Sequence, residues 1–113
     1  MKVIAGAGEF IASARGQSAT WAEHLRVADL SVGTYCIPAG GTDDQSPHTE
    51  DEIYIVTAGR ARLESGGDVA EVRPGSVIYV PADVMHSGKA GAEADVVFFT
   101  VKDASHSLHG VKA

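Results

Sequence analysis

The chain has a single cysteine, Cys36, among its 113 residues. One cysteine excludes an internal disulfide and gives no sign of an oxidising compartment, so Cys36 is expected as a buried thiol. Also missing is any apolar run approaching the roughly 20 residues that a membrane-crossing helix needs, so no membrane partner is expected. Basic excess is absent too: 9 Lys and Arg against 15 Asp and Glu leave a net charge of −6, which argues against a general nucleic-acid surface. No repeat, low-complexity segment or long helical period is found. Ala12-Ser13-Ala14 resembles a signal-peptidase site. The apolar run before it, Val3 to Gly8, is too short and is interrupted by Glu9, and a cytoplasmic protein is the expectation.

What is present is enough apolar material for one folded domain, with 44% hydrophobic residues. The pattern is one of short strands. Residues 1 to 8 suggest a short strand and Gly8 to Gly16 a helical turn or loop. Trp21, Glu23, Leu25 and Val27 alternate with Ala22, His24 and Arg26 as a half-buried strand would. Ala28-Asp29 turns the chain into Ser31 to Ile37, which ends at Pro38-Ala39-Gly40-Gly41. Further strands are expected at Glu52 to Thr57, Arg60 to Glu64, Val69 to Val72, Val77 to Val80 and Asp95 to Val101, with a hairpin turn at Gly66-Gly67 and a loose tail from Ser105. Seven or eight short strands punctuated by glycine and proline imply an all-β sandwich or barrel, and the pattern alone does not choose between them.

Two stretches carry candidate chemistry. Gly40 to Gly59 reads GGTDDQSPHTEDEIYIVTAG, and Gly75 to His86 reads GSVIYVPADVMH. His48 and Glu52 are separated by an even number of residues, so on extended backbone they project from one face, and His86 joins them from elsewhere. Two imidazoles and one carboxylate suit first-row divalent metals such as Fe, Mn, Zn, Ni or Co and leave positions open for water, substrate or dioxygen. Asp43, Asp44, Glu50, Asp51 and Glu52 cluster around this site and would repel anionic substrates unless a metal neutralised them.

These residues resemble the two motifs of the cupin superfamily. In the first, Gly40, His48, Glu52 and Gly59 fall in register; in the second, Gly75, Pro81 and His86 do. The resemblance spans about residues 30 to 101, and the run Gln45 to Glu52 is similar to that of small single-domain cupins described as mannose-6-phosphate isomerase-like. It implies a double-stranded β-helix barrel, jelly-roll-like, with a metal inside its mouth, and a homodimer paired through an outer sheet. Two departures stand out. Ser46 occupies the place of the family's first histidine, leaving Gln45, Ser46 itself or water as the fourth ligand. Gln45 on regular strand would face away from His48, though Pro47 can break that alternation. Asp83 stands where a turn glycine is usual, and aspartate tolerates positive φ better than most residues.

Tyr54 lies two residues beyond Glu52 and so shares its face. It serves either as barrel packing or in proton transfer and substrate orientation. Arg60 and Arg62 are expected as surface cations, and Trp21, Phe98 and Phe99 as core or dimer contact. The tail residues His106 and His109 are expected in solvent. The functional expectation is a metalloenzyme acting on a small organic molecule. The two-histidine, one-carboxylate set tilts it toward a dioxygenase over a lyase or isomerase. The competing expectation is a binding module that holds a metal or small ligand without turnover.

Overall fold

The computed structural model describes residues 1–6, 19–45, 50–82 and 86–103, with residues 43–45 and 86 described by backbone alone. Within them lie β1 (Thr20–Arg26), β2 (Leu30–Ile37), β3 (Thr42–Gln45), β4 (Glu52–Ala58), β5 (Ala61–Ser65), β6 (Asp68–Val72), β7 (Val77–Val80), β8 (His86–Ala90) and β9 (Val96–Asp103). All pairings are antiparallel. One sheet has five strands in the order β1-β2-β9-β4-β7, and the other has four in the order β3-β8-β5-β6. No helix among the described residues is long and apolar enough to cross a membrane.

Alternation selects the inner faces. In β4, Glu52, Tyr54 and Val56 are buried while Ile53 is exposed. In β9, Phe98 and Thr100 share the buried face that β4 continues, because Val56 pairs with Phe98 and Tyr54 with Thr100. The core gathers Ile37, Tyr54, Val56, Val80, Val96 and Phe98 from the five-stranded sheet against Ala61, Val72 and Ala90 from the other. Phe98 is its centre: its ring lies 5.6 Å from that of Tyr54 and 6.3 Å from that of Tyr35, both tilted. Each such pair contributes about 0.5–1.5 kcal/mol beyond its buried area.

The hairpin at Gly66-Gly67 forms as the sequence indicates, with both glycines at positive φ and Ser65 paired to Asp68. Three expectations are corrected. Residues 1–6 form no strand; they end in a turn with Gly6 at φ 76°. Met1 and Val3 are exposed there, so the segment buries no apolar face that would hold it on a sheet. The alternation in β1 is broken by a bulge at His24, since Glu23 pairs with Gly33 but Leu25 with Val32. His24 Nε2 lies 2.6 Å from Thr34 Oγ1. Finally, β3 and β8 are strands that the sequence pattern did not mark. Gly8–Gly16 lies outside the described residues, as does the tail from residue 104, with His106 and His109.

Gly59 closes the β4–β5 connection at φ 77°, and a Cβ there would run into the Asp95 carbonyl. Asp95 in turn accepts a hydrogen bond from the Ala39 N–H at 2.8 Å. Gly59→Ala is therefore expected to lower stability by more than about 1 kcal/mol, combining the left-handed backbone penalty with the clash. Urea unfolding should show a lower midpoint with an unchanged slope.

Candidate metal centre

Glu52 opens β4 on its inner face and is only 2% exposed. Burying a carboxylate that far requires partners for its charge. The β4–β9 register supplies one, because Lys102 stands directly opposite Glu52 and brings Nζ to 3.7 Å from Oε2. The Tyr54 hydroxyl donates to Oε1 at 3.2 Å. Tyr54 thus shares the face of Glu52, as parity indicated, and also packs on Phe98: its ring belongs to the core while its hydroxyl reaches the carboxylate.

Trp21 from β1 completes this side. Its ring lies beneath the Lys102 ammonium, 4.4 Å from Nζ to centroid, within the range of a cation–π contact. Gly33 makes room for it, since a Cβ at that position would collide with the indole. Trp21, Tyr35, Glu52, Tyr54 and Lys102 together line a pocket of about 70 Å³. At the rim, Glu23 accepts from the Ser31 hydroxyl at 2.5 Å and pairs with Arg26 at 3.0 Å. The Ser31 hydroxyl first, then Arg26, holds its carboxyl below the ordinary range.

The second sheet contributes the other candidate ligand positions. Gln45, the last residue of β3, is directly opposite His86, the first of β8, and Ser65 of β5 is opposite His86 on its other side. Chain leaving β7 reaches His86 past Ala82, whose N–H donates to Asp51 Oδ1 at 2.7 Å. That bond ties the segment leading to His86 to the residue before Glu52. It also gives Asp51, one of the clustered acids, a structural task. His48, Ser46 and Asp83 lie outside the described residues, and among those described no three His, Cys, Asp or Glu side chains form a metal cluster.

In chemistry, the donors suit a divalent transition metal. A buried carboxylate already held by hydrogen bond and ion pair is a pre-oriented oxygen ligand, and the backbones of Gln45 and His86 occupy opposed positions of one ladder. Lys102, Trp21 and Gly33 were not marked by the sequence as site residues. Trp21 was expected in core or dimer contact, but it is 39% exposed and forms a pocket wall. Phe98 is core as expected, and Arg60 and Arg62 are exposed.

The comparisons with known proteins agree with this architecture. The Cupin_2 family model, described as Cupin domain, matches residues 33–102, more than half of the chain. An uncharacterized protein of Streptomyces coelicolor, SCO3923, is 42% identical over 78 residues, covering 69% of this chain and 74% of that protein. Among solved structures, the cupin domain of Schizosaccharomyces pombe Cnp3 superposes with a TM-score of 0.73 at 14% identity, over 83% of this chain and 69% of that one. A Thermotoga maritima protein named a predicted oxalate decarboxylase gives 0.64 at 18% identity, over 75% of this chain and 79% of that one. At such identities the two structures carry the fold alone. With two antiparallel sheets closed around one core and the family model matched from β2 to the last strand, this chain belongs to the cupin domain family.

Proposed function

We propose that this cupin is a metal-dependent enzyme acting on a small organic molecule inside its barrel, with His48, Glu52 and His86 as metal ligands and Gln45 as the fourth. The observation that carries this reading is the buried Glu52 carboxylate, aimed into a pocket with a phenol and an ammonium beside it. Such a group is costly to maintain for packing alone. A bound metal would supply Lewis-acid or dioxygen chemistry there. Tyr54 would then hold Glu52 in orientation and present a phenolic proton at the pocket wall, while Trp21 and Tyr35 exclude water from the substrate's apolar part.

The donor set leaves a dioxygenase slightly ahead of a lyase or isomerase. One protein that shares the fold is named a predicted oxalate decarboxylase, which is compatible with an enzyme without deciding for one. The small-molecule reading also fits the net charge of −6, which disfavours nucleic acid. A buried thiol at Cys36 fits a cytoplasmic location. A homodimer belongs to the same proposal. The sheet edge at β7 and its neighbour β4 expose Ile53, Val77 and Tyr79 at 41%, 66% and 61%. An apolar edge strand of this kind is best covered by an identical edge in an isologous pair.

Protein purified without chelator is expected to carry stoichiometric metal, and His48→Ala, His86→Ala and Glu52→Gln should each lose it in elemental analysis. Unchanged metal in any of the three removes that residue from the ligand set. With a substrate found by a panel run with and without dioxygen, Tyr54→Phe should retain metal and lose about 10²-fold in kcat. Full activity would leave Tyr54 as packing. Light scattering should give the mass of a dimer for the wild type and of a monomer for Tyr79→Lys.

A further inference from the structure

The Lys102 ammonium is held loosely. Its 3.7 Å separation from Glu52 Oε2 exceeds the roughly 2.7–2.9 Å of a fully formed charge-assisted hydrogen bond. The contact with Trp21 uses the indole face and consumes no directed donor. An ammonium carries three N–H groups, so Lys102 can serve Glu52 and a further acceptor together. Its side chain is 29% exposed, open to a ligand entering from the pocket side. Arg26 of β1 is committed to Glu23.

We propose that the pocket bounded by Trp21, Tyr35, Glu52, Tyr54 and Lys102 binds the carboxylate end of a small organic anion, with Lys102 as the anchoring residue. This deepens the proposed function, resting on its placement of a small-molecule site in this cavity; Glu52 and the neighbouring acids oppose an anion until a metal offsets them, so the metal-loaded protein binds more tightly and Lys102 supplies the attraction that remains without it. The pocket of about 70 Å³ takes a carboxylate and a few further heavy atoms, where a single water needs about 10–15 Å³. Phosphate is a poorer match, because its recognition calls for several convergent donors and this wall offers one ammonium. Charge favours the assignment further in the metal-bound state. A divalent cation on Glu52 beside Lys102 brings more positive charge than one carboxylate cancels, and an incoming anion restores balance. The indole and Tyr35 rings give the anion's carbon skeleton an apolar wall.

Trp21 is the only tryptophan in the chain, so its emission reports directly on this pocket. Acetate and malonate are titrated into metal-loaded and chelator-treated full-length protein, with acetamide, malonamide and inorganic phosphate as comparators. A saturable change in Trp21 emission is expected with the carboxylates and not with the neutral amides. Lys102→Met, which keeps the apolar stem against Trp21, should weaken carboxylate binding by about 10–100-fold, and Lys102→Arg should retain most of it. A merely structural lysine would shift the melting temperature without separating carboxylate from amide. Equal responses to carboxylate and amide in the wild type overturn the proposal even if Lys102→Met fails to fold. So do equal affinities in the wild type and Lys102→Met, or no saturable response in either form. Equilibrium dialysis of metal on the same samples keeps the two readings apart. A Lys102-dependent response in the chelator-treated protein supports the anion site even where the ligand variants keep their metal.

Discussion

Keeping the Glu52 carboxylate inside the barrel is the constraint to which the rest of the site answers. A charge removed from water to 2% exposure must be met by an opposite charge or by directed donors; the charge arrives through one strand pairing and a donor, the Tyr54 hydroxyl, from two residues along the same strand. Because β4 and β9 pair with Glu52 opposite Lys102, the ammonium is delivered by register rather than by a loop. The same register sets Tyr54 against Thr100 and Val56 against Phe98. Polar mouth and apolar core are therefore successive levels of one ladder, and a slip of one residue would turn every one of these side chains to the outer face. The energy that fixes the site comes from Phe98 and Val56, deeper in the barrel.

Tyr54 couples the two levels. Its ring packs tilted on Phe98 at 5.6 Å while its hydroxyl donates to Glu52 at 3.2 Å. Tyr54 and Tyr35 also border a second, apolar cavity of about 60 Å³ that reaches Ile37, Leu63 and Ile78. The interior is thus divided into a charged chamber and an oily one with two phenols in common. The two rings form the wall between these chambers, and the rigid core behind them holds that geometry in advance.

Much of this was legible in the sequence where burial and alternation coincide. Glu52, Tyr54 and Val56 share a parity that any extended backbone turns into a shared face. The strands β2, β4, β7 and β9 announce themselves by β-branched and aromatic residues, and β5 and β6 by the Gly66-Gly67 turn between them. The two strands that escaped, Thr42–Gln45 and His86–Ala90, read TDDQ and HSGKA. Neither has an apolar repeat, so what makes them strands is backbone pairing with partners distant in sequence. Lys102 and Trp21 escaped for a related reason. A lysine near the end of an apolar strand looks like a solvated terminus until the register places it over Glu52. A tryptophan in an alternating strand looks like core until Gly33 opens a shelf for it beside a charge.

The chemistry itself is not written in the fold, which this chain shares with proteins only 14% and 18% identical to it. It depends on how one carboxylate is apportioned. In the proposed metal site, with Ser46 in place of the usual histidine, fewer imidazoles would share the work of holding a metal, and the carboxylate's contribution would grow. Lys102 draws on that same carboxylate. In the proposed site an anion that engaged Lys102 would relax its hold on Glu52 and free negative charge for a metal, and a metal on Glu52 would strengthen the field that attracts the anion. Where two ligands each favour the same state of a shared group, linkage makes the effect reciprocal, so metal and substrate affinities must rise together by one common factor. In a barrel this small, the proposed site, short of one customary ligand, would recover its grip through the substrate's own charge.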